Sequence, residues 1–348
     1  MENPTHISII IPALHRPDLT AKCIESIRRQ RGVQGKVEVF VVENAARPGA
    51  VYEAVAGSEV HSLLLSENLG TTGSINRALP LTRSKYVLLL NNDVELHPGF
   101  LETLTQTLDS QPELAFATGK LLDAQRDGYL DGAGDAMLLG GGAYRIGHGD
   151  ADRGEFDALR PVLSGCGAAT LFKRDVMEEL GGLDEQLFAY LDDLDLSLRA
   201  HLRGYKGVYA PNAAALHVGS ATLGNPLHPK IVGWITRNQM LVVIKNYPGV
   251  LLLRLAPRLL LYQLLWAARV FARGAVLPFL RGLFHTLWAL PKALRDRNRR
   301  QRARIVTSSQ FLDCLRASER QIYDWHARRE PRSRSMLLRL YFGVFGRP

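Results

Sequence analysis

The chain has 348 residues, 46% of them hydrophobic, which is enough for at least one large core and about two domains and excludes a disordered protein. Its net charge of +9 is uneven: from Gly249 to the end 20 lysines and arginines meet 5 acidic residues, leaving 23 against 29 in the first 248. A mildly acidic body with a basic tail fits an anionic surface, either a membrane leaflet or nucleic acid.

The chain starts with MENPTHISIIIPAL, which lacks a basic leader region and reads as a first strand, so the expected location is cytoplasmic. The three cysteines, Cys23, Cys166 and Cys314, are odd in number and lack metal-ligand spacing, as expected in a reducing compartment. Residues 6–14, 37–44, 60–65 and 86–93 are short β-branched or apolar runs that read as buried strands. Between them, 18–30, 71–79 and 99–108 carry helical spacing. Near-continuous apolar strands separated by helices imply a mostly parallel α/β sheet covered on both faces. Such sheets bind ligands beyond the carboxyl ends of their strands. The candidates for substrate contact are therefore Pro12, Ala13, His15 and Arg16, then Glu43 with Asn44, Glu67 with Asn68, and Asn91, Asn92 and Asp93.

YVLLL (86–90) ends abruptly in Asn91-Asn92-Asp93, which is either a plain turn or a set of oxygen ligands for Mg²⁺ or Mn²⁺. The glycine-rich run 140–149 reads as a mobile loop over a site; His148, Asp150 and Asp152 can be read as a metal cluster, but a solvated loop is the favoured reading. A strand at 164–175 opens with Gly165 and Gly167, which permit close backbone approach to a ligand or strand; a short helix at 175–180 stops at Gly181-Gly182. A further helix ends at Gly204. There Leu194, Leu198 and Leu202 share a buried face, Asp195 and Arg199 are placed to pair on the surface, and Asp192 and Asp193 sit at the helix start, where a carboxylate caps.

Four segments, VVENAARPG, ENLGTTGSINRAL, LLLNND and GGLDEQLFAYLDDLDLSLRAHLRGYKGVYAPNAAALH, together resemble inverting family 2 glycosyltransferases of GT-A fold over roughly residues 6–245. RNQMLVVIKNYP (237–248) and the basic tail are similar to rhamnosyltransferase-type enzymes of bacterial surface polysaccharides. The resemblance implies a Rossmann-like α/β fold and sugar transfer from a nucleoside-diphosphate sugar of dTDP or UDP type to a lipid-linked or polysaccharide acceptor. It also implies that Asp93 supplies the metal carboxylate, that His217 completes the metal site, and that Asp193 is the general base with Asp192 beside it. Glu43 stands where the family has an Asp on the nucleotide, and Ala46 where it has a Ser. Asn68, Gly70, Asn76 and Arg77 are placed for the nucleotide or its sugar, and Arg237 and Asn238 either for the diphosphate or to anchor a helix. The alternatives are a sugar nucleotidyltransferase, which needs a Gly- and Arg/Lys-rich phosphate loop that PALHRPDLT lacks, or an inactive membrane-bound scaffold.

In the tail no uncharged run reaches the ~18–20 residues that span a bilayer. Arg258, Arg269 and Arg273 fall at about 0°, 20° and 60° around one helix, and Arg281, His285 and Lys292 at about 0°, 40° and 20° around a second after Pro278. Two helices with basic edges suit a membrane interface or a hairpin packed on the body, and RDRNRRQRAR (295–304) suits anionic lipid. Nucleic acid is disfavoured because the tail lacks interleaved aromatics and a recognisable binding module. The expected division is a GT-A domain at 1–248, with a nucleotide-sugar half at about 1–120 and an acceptor half at about 121–248. Basic amphipathic helices follow at 249–305 and a helical tail at 306–348.

Overall fold

The computed structural model describes residues 5–45, 57, 59–219 and 228–348; Ala46 lies outside them. In chain order the first half runs β1 (Thr5–Ala13), α1 (Pro17–Arg28), β2 (Lys36–Glu43), β3 (Val60–Leu64), α2 (Gly70–Ala78), β4 (Tyr86–Leu90), β5 (Val94–Leu96), α3 (Phe100–Ser110) and β6 (Leu114–Asp123). Then follow β7 (Leu130–Gly132), β8 (Asp135–Met137), β9 (Ala143–Arg145), β10 (Arg160–Val162), β11 (Ala169–Lys173), α4 (Arg174–Glu179), α5 (Asp192–Leu202) and β12 (Lys206–His217). The tail is helical: α6 (Pro229–Asn246), α7 (Gly249–Arg254), α8 (Ala256–Phe271), α9 (Val276–Ala303), α10 (Ser308–Arg328) and α11 (Met336–Phe345).

Among the described residues ten strands form one sheet, in the order β10-β12-β6-β11-β4-β1-β2-β3, with β5 on β12 and β7 on β6. The pairs β3–β2, β2–β1, β1–β4 and β6–β12 are parallel, whereas β11 runs antiparallel to both β4 and β6. The alternation of side chains across the pleat explains why these strands are apolar on both faces. Ile10, Val42 and Leu89 pack on one side with Ile75 of α2; Ile9, Ile11, Val41 and Leu88 pack on the other with Ile24 of α1 and Leu104 of α3. Chain order reverses between β1 and β4, the point of such a sheet where ligands bind beyond the carboxyl ends of the strands.

Two expectations change. The glycine run 140–149 is packed: β9 pairs with β8, Gly140–Gly142 are buried, and Gly140 N–H donates to the Tyr341 hydroxyl at 3.0 Å. Asp150 accepts from Trp325 Nε1 at 2.6 Å and Asp152 meets Lys120 at 2.9 Å, so the loop after it is fastened to the body as well. In the tail the break falls at Gly274-Ala275, and Pro278 lies in the first turn of α9, where a proline removes no needed donor. The helix α9 packs along α6, α10 on β8 and α11 on α8.

Candidate active site

The end of β4 leads through Asn91 and Asn92 into Asp93, just before β5. Because β5 pairs with the end of β12, Val94 stands opposite His217, and the buried Asp93 Oδ1 comes within 3.4 Å of His217 Nε2. The other ring nitrogen, Nδ1, lies 2.7 Å from Asp131 Oδ2. Burial opposes a charged imidazole, but the hydrogen bonds to Asp131 and Asp93 raise His217 to about 9. Asp131 also accepts from Arg145 Nη1 at 2.6 Å, while His148 Nδ1 lies 2.9 Å from the Asp131 carbonyl oxygen. Against the cost of burial, Arg145 and the two histidines hold the Asp131 carboxyl well below the usual carboxylate range.

Arg145 continues toward the candidate base, Asp193: its Nε lies 3.5 Å from Asp135 Oδ1. Asp135, Cys166 and Asp193 bring one ligand-type atom each within 4.8 Å of one another. Asp193 Oδ2 accepts from Gly167 N–H at 2.7 Å and Oδ1 from Leu194 N–H at 2.7 Å, which fixes the orientation of the carboxylate. A Cβ on Gly167 would stand 3.1 Å from Asp193 Oδ2, so the close approach expected of that glycine is made to the candidate base. Burial, opposed by Arg145 and reinforced by Asp193 and Asp131, pushes Asp135 up to about 7. Burial, then Asp193, pushes Asp192 up to about 8. Asp192 forms no side-chain cap on α5, which departs from the expected role.

Asp195 and Arg199 do pair, at 2.9 Å, but in the interior: their side chains are 0% and 8% exposed. Arg300 of α9 reaches the same carboxylate at 2.6 Å and Asp184 at 2.5 Å, where Lys245 joins it at 2.5 Å. The basic tail therefore places one arginine inside the body. Arg300 and then Arg199 overcome burial to hold Asp195 below its ordinary range.

Several candidates hold the chain in place. Asn238 is fully buried and donates to the carbonyls of Leu187, Ala189 and Tyr190 at 2.8–3.0 Å; Arg237 donates to Leu187 O at 2.8 Å. They fasten a loop in which Phe188, Tyr190 and Leu191 take positive φ, a conformation that needs such support. Asn76 is paired with both backbone groups of Leu183 at 2.9 Å, and Arg77 is exposed on α2. Asn44 donates to Ser74 Oγ at 2.5 Å and Asn68 accepts from Gly70 N–H at 2.8 Å, together forming the β2–α2 junction. Gly70 has φ +70°, and a Cβ there would come 2.3 Å from Phe188 O. Gly165 abuts Thr170 beneath the site, and Asn92 donates to Thr20 Oγ1 at 3.1 Å.

Glu43 is different. At the carboxyl end of β2 its Oε1 accepts from His15 N–H at 3.3 Å, but Oε2 is buried with no partner. Pro12 and Ala13 end the neighbouring β1, followed by His15 at φ 54° and by Arg16, which holds Asp18 at 2.8 Å. Asn91 is partly buried, with its N–H on Ala168 O at 2.8 Å.

Sequence reasoning missed Asp131, Asp135 and Arg145. The signal is present in 130-LDGAGDAMLLGGGAYR-145, where acids alternate with glycines, but only the β7 and β8–β9 pairings turn them toward the site. One oxygen and one nitrogen donor at Asp93 and His217 fit a divalent cation that also takes diphosphate oxygens. The Asp135, Cys166 and Asp193 group fits it poorly, because burial raises the Cys166 thiol and Arg145 already supplies positive charge. That group is better suited to handling a proton.

Residues 4–235 match the family model described as glycosyltransferase like family 2. An uncharacterized protein y4gI of Sinorhizobium fredii is 31% identical over 245 residues, covering 66% of this chain and 26% of its own length. The O-antigen biosynthesis protein RfbC of Myxococcus xanthus is 27% identical, with 66% and 18% covered. The chain thus spans about a quarter or less of these two relatives. An N-acetylglucosaminyl-diphospho-decaprenol L-rhamnosyltransferase of Mycobacterium tuberculosis is 26% identical, with 52% and 66% covered. Among solved structures, GalNAc-T7 with UDP, GalNAc and Mn²⁺ superposes with a TM-score of 0.56 at 14% identity, covering 70% of this chain and 49% of that one, a likeness of fold. With its sheet order, the chain reversal between β1 and β4 and the family match over two thirds of its length, this chain belongs to glycosyltransferase family 2 and has the GT-A fold.

Proposed function

We propose that the chain transfers a sugar, rhamnose first among the candidates, from a dTDP- or UDP-type donor to a hydroxyl of a lipid-linked or polysaccharide acceptor, with inversion at the anomeric carbon. The observation that carries this reading is the fixed Asp193 carboxylate, joined through Asp135, Arg145, Asp131 and His217 to Asp93. The relatives named for rhamnosyl transfer and O-antigen synthesis support the substrate class.

In the inverting step the acceptor oxygen attacks the anomeric carbon as the bond to the diphosphate oxygen breaks. The acceptor proton passes to Asp193, and the diphosphate leaves with the bonding electron pair. Gly167 N–H and Leu194 N–H orient the receiving carboxylate, and Asp135 beside it offers a second carboxyl across which the proton is shared. Mg²⁺ or Mn²⁺ held by Asp93 and His217 would offset the charge that builds on the diphosphate. Glu43 Oε2, a buried acceptor without a partner, suits a donor group of the nucleoside. Residues 1–248 are assigned to this reaction.

The tail is assigned to the inner face of the cell membrane as a peripheral contact. No helix among the described residues is long and apolar enough to cross a bilayer. Leu277, Leu280, Phe284, Leu287 and Trp288 are nevertheless exposed along one stripe of α9, and Met336, Leu340 and Val344 along one of α11. Exposed Arg273, Arg281 and His285 lie beside the α9 stripe, the charge that an anionic leaflet complements.

The test incubates the full chain with Mn²⁺, a panel of nucleoside-diphosphate sugars and a polyprenyl-diphosphate sugar acceptor. Release of one nucleoside diphosphate and a product of opposite anomeric configuration are expected. Release without any acceptor product, or a product of retained configuration, contradicts the reading.

A further inference from the structure

Away from the strand ends that carry Asp93 and Asp193, the ends of α5 and α9 line a half-open cavity of about 480 Å³, bordered by Arg199, Arg203, Lys292, Asp296, Arg299 and Arg300 together with the 179–185 segment. Most donors of the two buried arginines are committed. Arg199 uses Nε on Asp195 and Nη1 on Leu180 O; Arg300 uses Nη1 on Asp195 and Asn246, and Nη2 on Asp184. Three buried guanidinium nitrogens remain without a partner: Arg199 Nη2, Arg203 Nε and Arg300 Nε. The side chains of Arg199 and Arg300 are each 8% exposed, so water reaches these donors poorly. A buried N–H without an acceptor is costly, and charged donors are the costliest to leave unmade. Four carboxylates line the cavity: Asp184 holds Arg300 and Lys245, Glu179 holds Arg203 at 2.5 Å, Asp296 lies near Lys292 and Arg299, and Glu185 accepts from Asn76 at 3.1 Å. None of them accepts from the three unpartnered nitrogens.

A second hollow, lined by Arg295, Asn298, Arg299, Arg302 and Ala303, shares Arg299 and Ala303 with the first and contains no acid. It forms a positive approach to the cavity. We infer that the α5–α9 cavity binds a phosphate group, carried either by an anionic phospholipid headgroup or by a free phosphate, at a site separate from the candidate active site. Phosphate offers several acceptor oxygens in one small group, and guanidinium N–H groups are its natural partners. The headgroup source rests on the membrane assignment above, whereas the cavity does not.

The experiment uses the full chain, Arg203→Gln, Ala303→Glu and Trp288→Ser. Ala303 is exposed and lines both hollows, so a carboxylate introduced there competes with an added anion. Thermal unfolding is followed against inorganic phosphate, with chloride at matched ionic strength as control. The wild type rises in melting temperature with phosphate, and both cavity variants need about tenfold more, the worth of one charge-assisted hydrogen bond. Co-sedimentation then uses phosphatidylcholine vesicles with and without phosphatidylglycerol. A headgroup source predicts that both cavity variants lose the phosphatidylglycerol-dependent part of binding. A free phosphate source predicts wild-type vesicle binding with the phosphate response still lost. Trp288→Ser weakens vesicle binding and keeps the phosphate response, so failure of the membrane assignment is visible separately. Identical phosphate and vesicle responses in wild type and both cavity variants overturn the site. The unliganded melting temperature of each variant reports whether it has folded.

Discussion

Asp131 touches no expected substrate, yet it decides which nitrogen of His217 faces Asp93. Asp131→Asn should weaken Mn²⁺ binding about 10–100-fold, the usual cost of removing such a partner, and lower the melting temperature as well, because Arg145 loses its buried carboxylate. Titration of the full chain with Mn²⁺ by electron paramagnetic resonance reads this, and unchanged affinity contradicts the assignment. Asp192 gives a stability signature. Its carboxyl is raised to about 8 in the fold, against about 3.9 in the unfolded chain. Between those values the native state binds more protons than the unfolded state, so this group's contribution to stability falls as pH rises from about 4 to about 8. Asp192→Asn removes that titration, so its melting temperature should gain on the wild type across the same interval. Parallel profiles would show that Asp192 ionises normally.

At the scale of elements, the helix that carries Asp193 is tied to the tail. Arg300 of α9 reaches Asp195 on α5 and Asp184 in the preceding loop, while Asn246 of α6 donates to Asp195 at 2.8 Å. Arg300→Met should cost about 3 kcal/mol in urea unfolding, the low end for breaking a buried pair, because Arg199 and Lys245 remain. A loss below about 1 kcal/mol, the range of exposed pairs, contradicts a buried role. The first strands and α1 to α3 were legible because each signal is local: apolar runs end at Ala13, Glu43 and Leu90 much as the spacing implies. The Asp195–Arg199 spacing correctly gave a pair but not its burial, since burial depends on α9, about a hundred residues away. For the same reason 140–149 read as a loose loop: the residues that pack it, Tyr262 and Tyr341, belong to α8 and α11. The alternatives for Asn238, diphosphate contact or helix anchor, stayed open in sequence because an amide that meets a ligand and one that clamps a loop are written alike; in the fold it clamps the 187–190 loop.

For the whole molecule, the tail presents two apolar faces. One is buried, with Tyr262, Trp266 and Val270 of α8 and Phe279 of α9 packed against the body. The other is open, with Leu287 69% and Trp288 79% exposed. Of the expected basic stripe, Arg258 turns inward to Glu319 at 3.2 Å, and Arg297 and Arg300 also serve packing. The proposed membrane contact therefore rests on the outer stripe and the exposed cations beside it. Replacing Phe284, Leu287 and Trp288 by Ser should release the protein from anionic vesicles with little change in melting temperature, because these side chains bury little within the fold. Retention on vesicles contradicts the docking face. The most direct measurement of the central claim is the rate of donor-dependent nucleoside diphosphate release by Asp193→Asn in the presence of acceptor and Mn²⁺. The account predicts a fall of about 10²–10⁴-fold with nucleotide affinity retained, the usual contribution of a positioned base. Turnover equal to that of the wild type contradicts it.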